Sequence, residues 1–246
     1  MLRWCLAPLV ASALCFADRG QPRHDPDEGM EGSIRLGIPE PMIFDLVRPL
    51  GAAKGEFEVN SLFIAPLKRG GRAYWAPEIE YSFGRGLAVE FELPISGLEV
   101  ESYKMAAQQK LPIRRTRMFT HGLQGIGEIE RGGRGWDASG LYLLGVRWRE
   151  RWSTMSMYGA NHSRHLGVRQ TRPLVNNTLF YEPWRYAALG LETNLKGVRA
   201  KGAHLLVVPQ MHVRLGGRFN LQFGAGYQRG PANRTPVVSF RLIREL

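Results

Sequence analysis

The chain has 246 residues and a formal net charge of +11 at pH 7. Hydrophobic residues make up 44% of it, which excludes a chain that is disordered by composition. No apolar run reaches the roughly 18 residues that a transmembrane helix needs, so the sequence also argues against a helical membrane protein.

The first 17 residues have the pattern of a secretory signal peptide. Arg3 supplies the positive start, an apolar stretch covers residues 6–16, and we expect cleavage after Ala17. Lipidation of Cys15 is an alternative, but the bulky Leu14 precedes it where a small residue is expected. The leader predicts export from the cytoplasm.

Both cysteines of the chain, Cys5 and Cys15, lie in this leader. We therefore expect the exported chain to have no disulfide, no cysteine nucleophile and no thiolate metal site. Residues 18–50 are rich in polar residues, proline and glycine, and they predict a polar periplasmic N-terminal segment. The apolar residues between the prolines of "IPEPMIFDLVRPLGAAKG" predict that this stretch packs against the first strands.

From residue 51 to the C-terminus, apolar and polar residues alternate in short runs. "GLAVEFELPI" at 86–95 is one example, with the apolar Val89 and Phe91 at odd-numbered positions and the acidic Glu90 and Glu92 at even-numbered ones. We call each set of alternate positions a parity. Successive side chains of a strand point to opposite faces, so such runs predict strands with one oily and one polar face. No long segment has the period of a helix, so the predicted fold is all-β.

The strand count depends on "TLFYEPWRYAALGLETN", which is too long for one membrane strand of about 10 residues. If it splits near 183–185, the chain has twelve strands and "NHSRHLGVRQTRPLVNN" becomes a long outward loop. An even count with the longest loop outside is typical of an outer-membrane barrel. We predict an antiparallel up-and-down transmembrane β-barrel over 51–246 with about twelve strands, and ten as the fallback.

Charged residues on the polar parity support a closed sheet. Acids dominate the first half of the chain and bases the second half, so closure would bring both signs to one lumen, where they can pair. The predicted lumen-facing charged residues are Glu56, Glu58, Glu78, Glu80, Glu90, Glu92, Glu128, Glu130, Arg147, Arg149, His212, Arg214 and Arg241.

Further basic residues crowd the predicted outward loops. They are Lys68, Arg69, Arg131, Arg134, Arg164, Arg169, Arg172, Lys196, Arg199 and Lys201. Such a rim would attract anionic headgroups of outer-membrane lipid and lipopolysaccharide, and a small solute is a further candidate partner. The export leader and the lack of a nucleic-acid motif argue against nucleic acid as a partner.

"NHSRH" at 161–165 is the one candidate for catalysis, because a histidine can activate a serine nucleophile. No second motif completes a triad, so we predict no catalytic residue and no enzyme. His204 and His212 are too far apart on one strand to chelate one ion, and we predict neither a metal nor a cofactor.

The leader, "EFEVN", "APEIEYSFGRGLAVEFELPI", "GLYLLGVRWRERWS" and the strand-like C-terminus resemble Gram-negative outer-membrane β-barrels. The resemblance covers roughly 40–246 and extends loosely to uncharacterised transporter-like barrels of the phenol meta-pathway type. It implies residence in the cell outer membrane and insertion by the barrel assembly machinery. One departure is Leu246, where these barrels usually end in an aromatic residue.

These observations predict a passive channel or transporter-like pore of unknown solute, or a structural barrel. Two alternatives stay open from the sequence. One is an outer-membrane lipid-modifying enzyme that uses "NHSRH", and the other is a soluble periplasmic β-sandwich that binds a ligand.

Overall fold

The computed structural model describes residues 36–44, 46–113, 118–197, 202–216, 218–230 and 234–246. The predicted signal peptide and residues 18–35 lie outside the described residues, so the leader stays a prediction. In the described ranges no helix is long and apolar enough to cross a membrane.

The described chain folds into fourteen β-strands. In order they are β1 (Phe57–Pro66), β2 (Tyr74–Gly84), β3 (Leu87–Glu92), β4 (Ile95–Ser96), β5 (Glu99–Val100), β6 (Ser102–Lys110), β7 (Phe119–Glu130), β8 (Gly135–Arg149), β9 (Trp152–His165), β10 (Val168–Trp184), β11 (Ala187–Lys196), β12 (His204–Arg214), β13 (Phe219–Arg229) and β14 (Arg234–Glu245).

The strands form one closed antiparallel sheet. Each long strand pairs with its neighbours along the chain, and β1 closes the ring by pairing with both β2 and β14. The short β4 and β5 form a small hairpin beside β2, so the wall itself has twelve strands. The predicted twelve-strand barrel is confirmed, and the soluble sandwich is wrong, because a single closed sheet has no second sheet to pack against.

Alternation of side chains explains why the sheet closes. In β6 every second residue from Ser102 to Lys110 is buried, while Tyr103 and Met105 point outward and are exposed. The same alternation in the other strands leaves apolar side chains on the outer surface. Outward aromatics near strand ends include Trp75, Trp148, Trp152, Trp184 and Tyr227. This arrangement is typical of a barrel with an apolar outer band and aromatic girdles.

We call the barrel end where β1 begins and β14 ends the proximal end, and the opposite one the distal end. At the proximal end β10 and β11 are joined by a tight turn at Arg185 and Tyr186, which confirms the predicted split of the long apolar run. The predicted long outward loop after residue 160 is wrong. β9 and β10 pair up to a distal two-residue turn at Leu166 and Gly167, both with positive φ.

Candidate functional site

A segment of the chain that precedes β1 lies inside the barrel. Residues 36–44 and 46–54, the lumen segment, enter beside Arg147 at the proximal end, reach the middle at Met42, and return to β1. Arg147 holds the start, because its Nε donates to the carbonyl of Leu36 at 2.8 Å and its Nη2 to the carbonyl of Gly37 at 2.6 Å. Glu182 pairs with the same guanidinium at 2.7 Å.

The sequence predicted that residues 18–50 form a polar periplasmic segment. The described part of that range lies in the lumen instead, because its apolar side chains find an apolar wall there. Leu46 and Leu50 pack with inward residues of β8, β9 and β10, and Met42 with residues of β1, β2, β12 and β14. Val47 packs on Ala88 and Ala106. The segment thus touches the wall on all sides and fills the proximal half of the lumen.

Glu192 of β11 holds the tip of the lumen segment. This side chain is fully buried, and its carboxylate accepts three consecutive backbone N–H groups, from Met42 at 2.9 Å, Ile43 at 3.2 Å and Phe44 at 2.8 Å. Asn194 donates to the same carboxylate at 2.8 Å. Charge-assisted bonds to backbone donors are among the strongest in proteins, so Glu192 is a latch for the tip.

Arg48 fastens the returning arm to an acidic wall. The carboxylate cluster consists of inward acids on β1–β3 and the one residue just before β1: Glu56, Glu58, Glu78, Glu80, Glu90 and Glu92. The Arg48 guanidinium contacts Glu58 directly and lies 2.7 Å from Glu56 and 3.8 Å from Glu80. Burial alone would lower the pKa of Arg48, but Glu58, Glu40 and Glu80 outweigh it and raise that pKa above its ordinary value.

Two wall residues supply the other cations of the carboxylate cluster. Arg241 of β14 lies 2.5 Å from Glu78 and 3.3 Å from Glu80, and its Nε donates to Asn60 at 3.0 Å. Lys104 of β6 contacts Glu92 and lies 3.7 Å from Glu90. Buried charges are stable only when they are paired in this way, so the proximal lumen is an ion-pair network around the lumen segment.

The distal half of the lumen holds a cavity of about 370 Å³. Ile43 and Phe44 at the tip of the lumen segment form part of its lining. Lys104, Lys196, Glu128 and Asp137 place both signs of charge around it. Among the described residues, the distal half of the lumen therefore holds free space, whereas the chain itself fills the proximal half.

Most of the predicted lumen-facing charged residues lie on the inner wall. Glu58, Glu78, Glu80, Glu90, Glu92 and Arg241 are buried there, and Glu56, Glu128, Glu130, Arg147 and His212 are half-buried. Arg214 lies on the inward parity at the exposed proximal end of β12. Of the predicted bases only Arg241 pairs with the acids of β1–β3, whereas Arg147 binds Glu182 and the lumen segment.

The prediction for Arg149 is wrong. The register between β8 and β9 shifts between Arg147 and Arg149, and this irregularity sets Arg149 opposite Trp152, an outward side chain. A bulge of one residue moves every following side chain to the other face. Arg149 is accordingly exposed on the outer surface.

The predicted basic loops are partly strands. Lys68 and Arg69 lie in the distal β1–β2 loop and Arg131 and Arg134 in the β7–β8 loop, all exposed. Arg164, Arg169 and Arg172 instead belong to the extended β9–β10 hairpin, because each pairs across it, and Lys196 ends β11 at 3.7 Å from Asp137. Arg199 and Lys201 lie outside the described residues.

The structure separates the residues of "NHSRH". His162 is exposed on the outer face and Ser163 is buried on the inner face, as adjacent strand residues must be. His165 shares the inner face with Ser163, but its Nδ1 lies 2.8 Å from Glu130 and its Nε2 3.0 Å from Asp137. Neither ring nitrogen is placed to take a proton from Ser163.

The tightest grouping of metal-ligand side chains among the described residues is Glu78, Glu90 and Glu92, whose carboxylate atoms lie within 4.8 Å of one another. Lys104 already pairs with two of them, and neither His204 nor His212 belongs to the group. The arrangement is therefore an ion pair of protein groups.

Three residues of the lumen are not among the predicted site residues. Glu192 lies between Leu191 and Thr193 in "LGLETN", and nothing local distinguishes it from a surface acid. Lys104 sits on the inward parity of β6, so its position was readable from the strand pattern. Arg48 lies in a segment without periodicity, where no local pattern reveals that the chain folds back into the barrel.

Comparison with known proteins agrees with this architecture. The chain matches no known protein-family model and no curated protein sequence. Among solved structures it is similar to the COG4313 outer membrane channel from Pseudomonas putida F1, with a TM-score of 0.63 and 11% identity over 85% of this chain and 100% of that one.

Two porins are similar to a comparable degree. The KdgM porin in complex with disordered oligogalacturonate has a TM-score of 0.62 and 9% identity, covering 77% of this chain and 99% of its own. The NanC porin has a TM-score of 0.60 and 9% identity, covering 76% and 97%. The chain therefore has the fold of Gram-negative outer-membrane β-barrel channels.

Proposed function

We propose that the protein resides in the outer membrane and acts as a passive channel for a small solute. The observation that carries this proposal is the opposite chemistry of the two faces of one closed sheet. Apolar side chains such as Phe63, Phe223 and Phe240 cover the outside, while buried ionic side chains and a cavity that several charged residues line lie inside. Such a wall is stable only with lipid outside and a polar lumen within.

The proposal includes a non-enzymatic role, which is supported by His162 and Ser163 of the candidate catalytic motif pointing to opposite faces. The fold-level likeness to porins and channels supports a transport role, but their solutes do not transfer to this chain at such low identity. Outer-membrane lipid and lipopolysaccharide on the outer surface, and the barrel assembly machinery during insertion, are the partners this proposal implies.

Planar bilayers test the channel directly. Purified full-length protein and a variant without residues 36–50 are inserted into planar bilayers in KCl, and single-channel currents are recorded. We expect discrete current steps, larger and more frequent in the variant because its proximal lumen is cleared. Heat-denatured protein is the control. If neither folded protein produces current steps, the channel proposal is wrong.

A further inference from the structure

We propose that the lumen segment is the gate of this channel, and that its withdrawal uncovers a net-negative constriction that passes small cations in preference to anions. The inference rests on the proposed channel function and adds its regulation and its solute class. Three properties of the lumen carry it: the way the segment is held, the route by which it can leave, and the charge of the wall that it covers.

The lumen segment is held by apolar packing against the wall and by polar contacts of side chains. Glu192 binds its tip through backbone N–H groups, Arg48 ties its returning arm to Glu58 and Glu80, and Arg147 binds the carbonyls of Leu36 and Gly37. The described segment is irregular throughout and adds no strand to the wall. Releasing it therefore breaks side-chain contacts but no strand pairing of the barrel.

The segment has one route out. It is joined to β1 at the proximal end, and its start at Leu36 also lies at that end, beside Arg147. The tip at Met42 can therefore withdraw toward the proximal opening as a loop, without threading through the barrel. Withdrawal would extend the distal cavity through the whole lumen.

Arg48 leaves the wall when the segment withdraws, and this changes the charge of the constriction. Among the described residues of the strands, the buried acids outnumber the buried bases by six to three. The acids are Glu58, Glu78, Glu80, Glu90, Glu92 and Glu192, and the bases are Lys104, Lys110 and Arg241. Rings of carboxylates select cations in pores, and buried charges are less screened by salt than those at the mouths.

This charge is opposite to that of the chain as a whole, which is strongly basic. The bases at the proximal end, such as Arg147 and Arg214, lie at a solvated opening. The distal loops are also exposed. The net-negative constriction therefore lies between two basic openings. The positive net charge of the whole chain, taken alone, would predict a preference for anions.

A reversible cross-link tests the gate. In full-length protein with Cys5 and Cys15 replaced by serine, we introduce Val47→Cys and Ala88→Cys, because Val47 of the lumen segment packs on Ala88 of β3. The matched control is Leu179→Cys with Leu191→Cys, which face each other on the outer surface of β10 and β11. Thiol titration establishes that each disulfide has formed before currents are recorded.

We expect the oxidised Val47–Ala88 pair to silence the channel and reduction to restore it, with no redox effect in the control pair. Equal currents from the oxidised and reduced protein would overturn the gate while leaving the channel function intact. Absence of current from the reduced protein, and also from the variant without residues 36–50, would instead overturn the proposed function.

The latch gives a second, independent test of the gate. Glu192→Gln keeps the shape of the side chain but replaces a carboxylate by a neutral amide facing three N–H donors. We expect the open fraction to rise by about tenfold, as is typical when hydrogen bonds lose their charged partner. The control is Glu99→Gln, an exposed acid in the distal β4–β5 hairpin. An unchanged open fraction in Glu192→Gln would contradict the latch.

The reversal potential in a KCl gradient tests the selectivity. We expect the opened channel to favour potassium over chloride, and Glu90→Gln to reduce that preference because it removes one wall carboxylate. Anion preference in the opened channel would overturn the cation inference, whatever the outcome for the gate. Unheated gel mobility verifies that each variant is folded.

Discussion

Arg241 on β14 lies 2.5 Å from Glu78 on β2 and reaches over β1, the strand between them. β14 and β1 are the last and first strands of the sheet, so this ion pair crosses the seam at which the barrel closes. A second carboxylate, that of Glu80, lies 3.3 Å from the same nitrogen. The closure of the barrel is thus reinforced by side chains as well as by backbone pairing.

Replacing Arg241 by methionine should destabilise the barrel by about 3–5 kcal/mol, because two buried carboxylates lose their counter-ion. Urea unfolding in detergent micelles measures the change. Arg244→Met is the matched control, since Arg244 is exposed and lies over the ring of Phe219. Equal unfolding midpoints for the two variants would contradict the role of Arg241 at the seam.

The outer surface makes a depth-dependent prediction. Phe223 faces Phe240 near the middle of β13 and β14, whereas Phe219 begins β13 at the proximal end. Phe223→Arg should cost about 2–4 kcal/mol and Phe219→Arg about 0–1 kcal/mol, because an arginine is most costly at the bilayer midplane. Unfolding from lipid vesicles measures both. A larger cost at Phe219 would mean that the middle of the barrel does not face hydrocarbon.

Local alternation made the wall predictable from the sequence. The parity of Glu78, Glu80, Glu90 and Glu92 follows from the period of two residues per pleat, and the even strand count follows from the position of the termini. The bulge before Arg149 and the hairpin at Leu166 were not predictable in this way. Both depend on backbone pairing between strands, which polar residues at strand ends do not reveal.

For the lumen segment, the sequence predicted that its apolar residues pack against the first strands, but it did not predict their place inside the barrel. Its contacts are all distant in sequence, such as the bond from Met42 to Glu192, and its conformation is irregular. Prolines and glycines around its apolar residues are equally typical of a solvated linker. Only the closed wall shows that the apolar residues have a lumen to fill.

The packing of Gly145 predicts a variant that loosens the lumen segment. A Cβ at Gly145 would lie 2.8 Å from Cδ1 of Ile38, so Gly145→Ala should displace the start of the segment. We expect severalfold faster chymotryptic cleavage after Phe44, a half-buried residue of the segment, in the folded protein. Gly125→Ala is the control, because a Cβ there meets nothing within 4 Å. Equal cleavage rates would show that Ile38 yields without moving the segment.

The separation of His162 from Ser163 predicts an absence of lipid hydrolysis. Purified protein in phospholipid vesicles should release no fatty acid, and His162→Ala and Ser163→Ala should match the unaltered protein both in this assay and in bilayer currents. Hydrolysis that both substitutions abolish would contradict the non-enzymatic role. In that case the two side chains would have to meet in a conformation other than this one.

The central claim is that lipid surrounds a closed sheet with an ionic interior. Electrophoresis of detergent-extracted membranes, with and without boiling, tests it most directly, because a closed barrel resists the denaturing detergent until it is heated. We predict a compact, faster-migrating species in the unheated sample that converts on boiling to a slower band at the mass of the unfolded exported chain. Two results together would contradict the claim: the same mobility in both samples, and release of the protein from the membrane by alkaline carbonate without detergent.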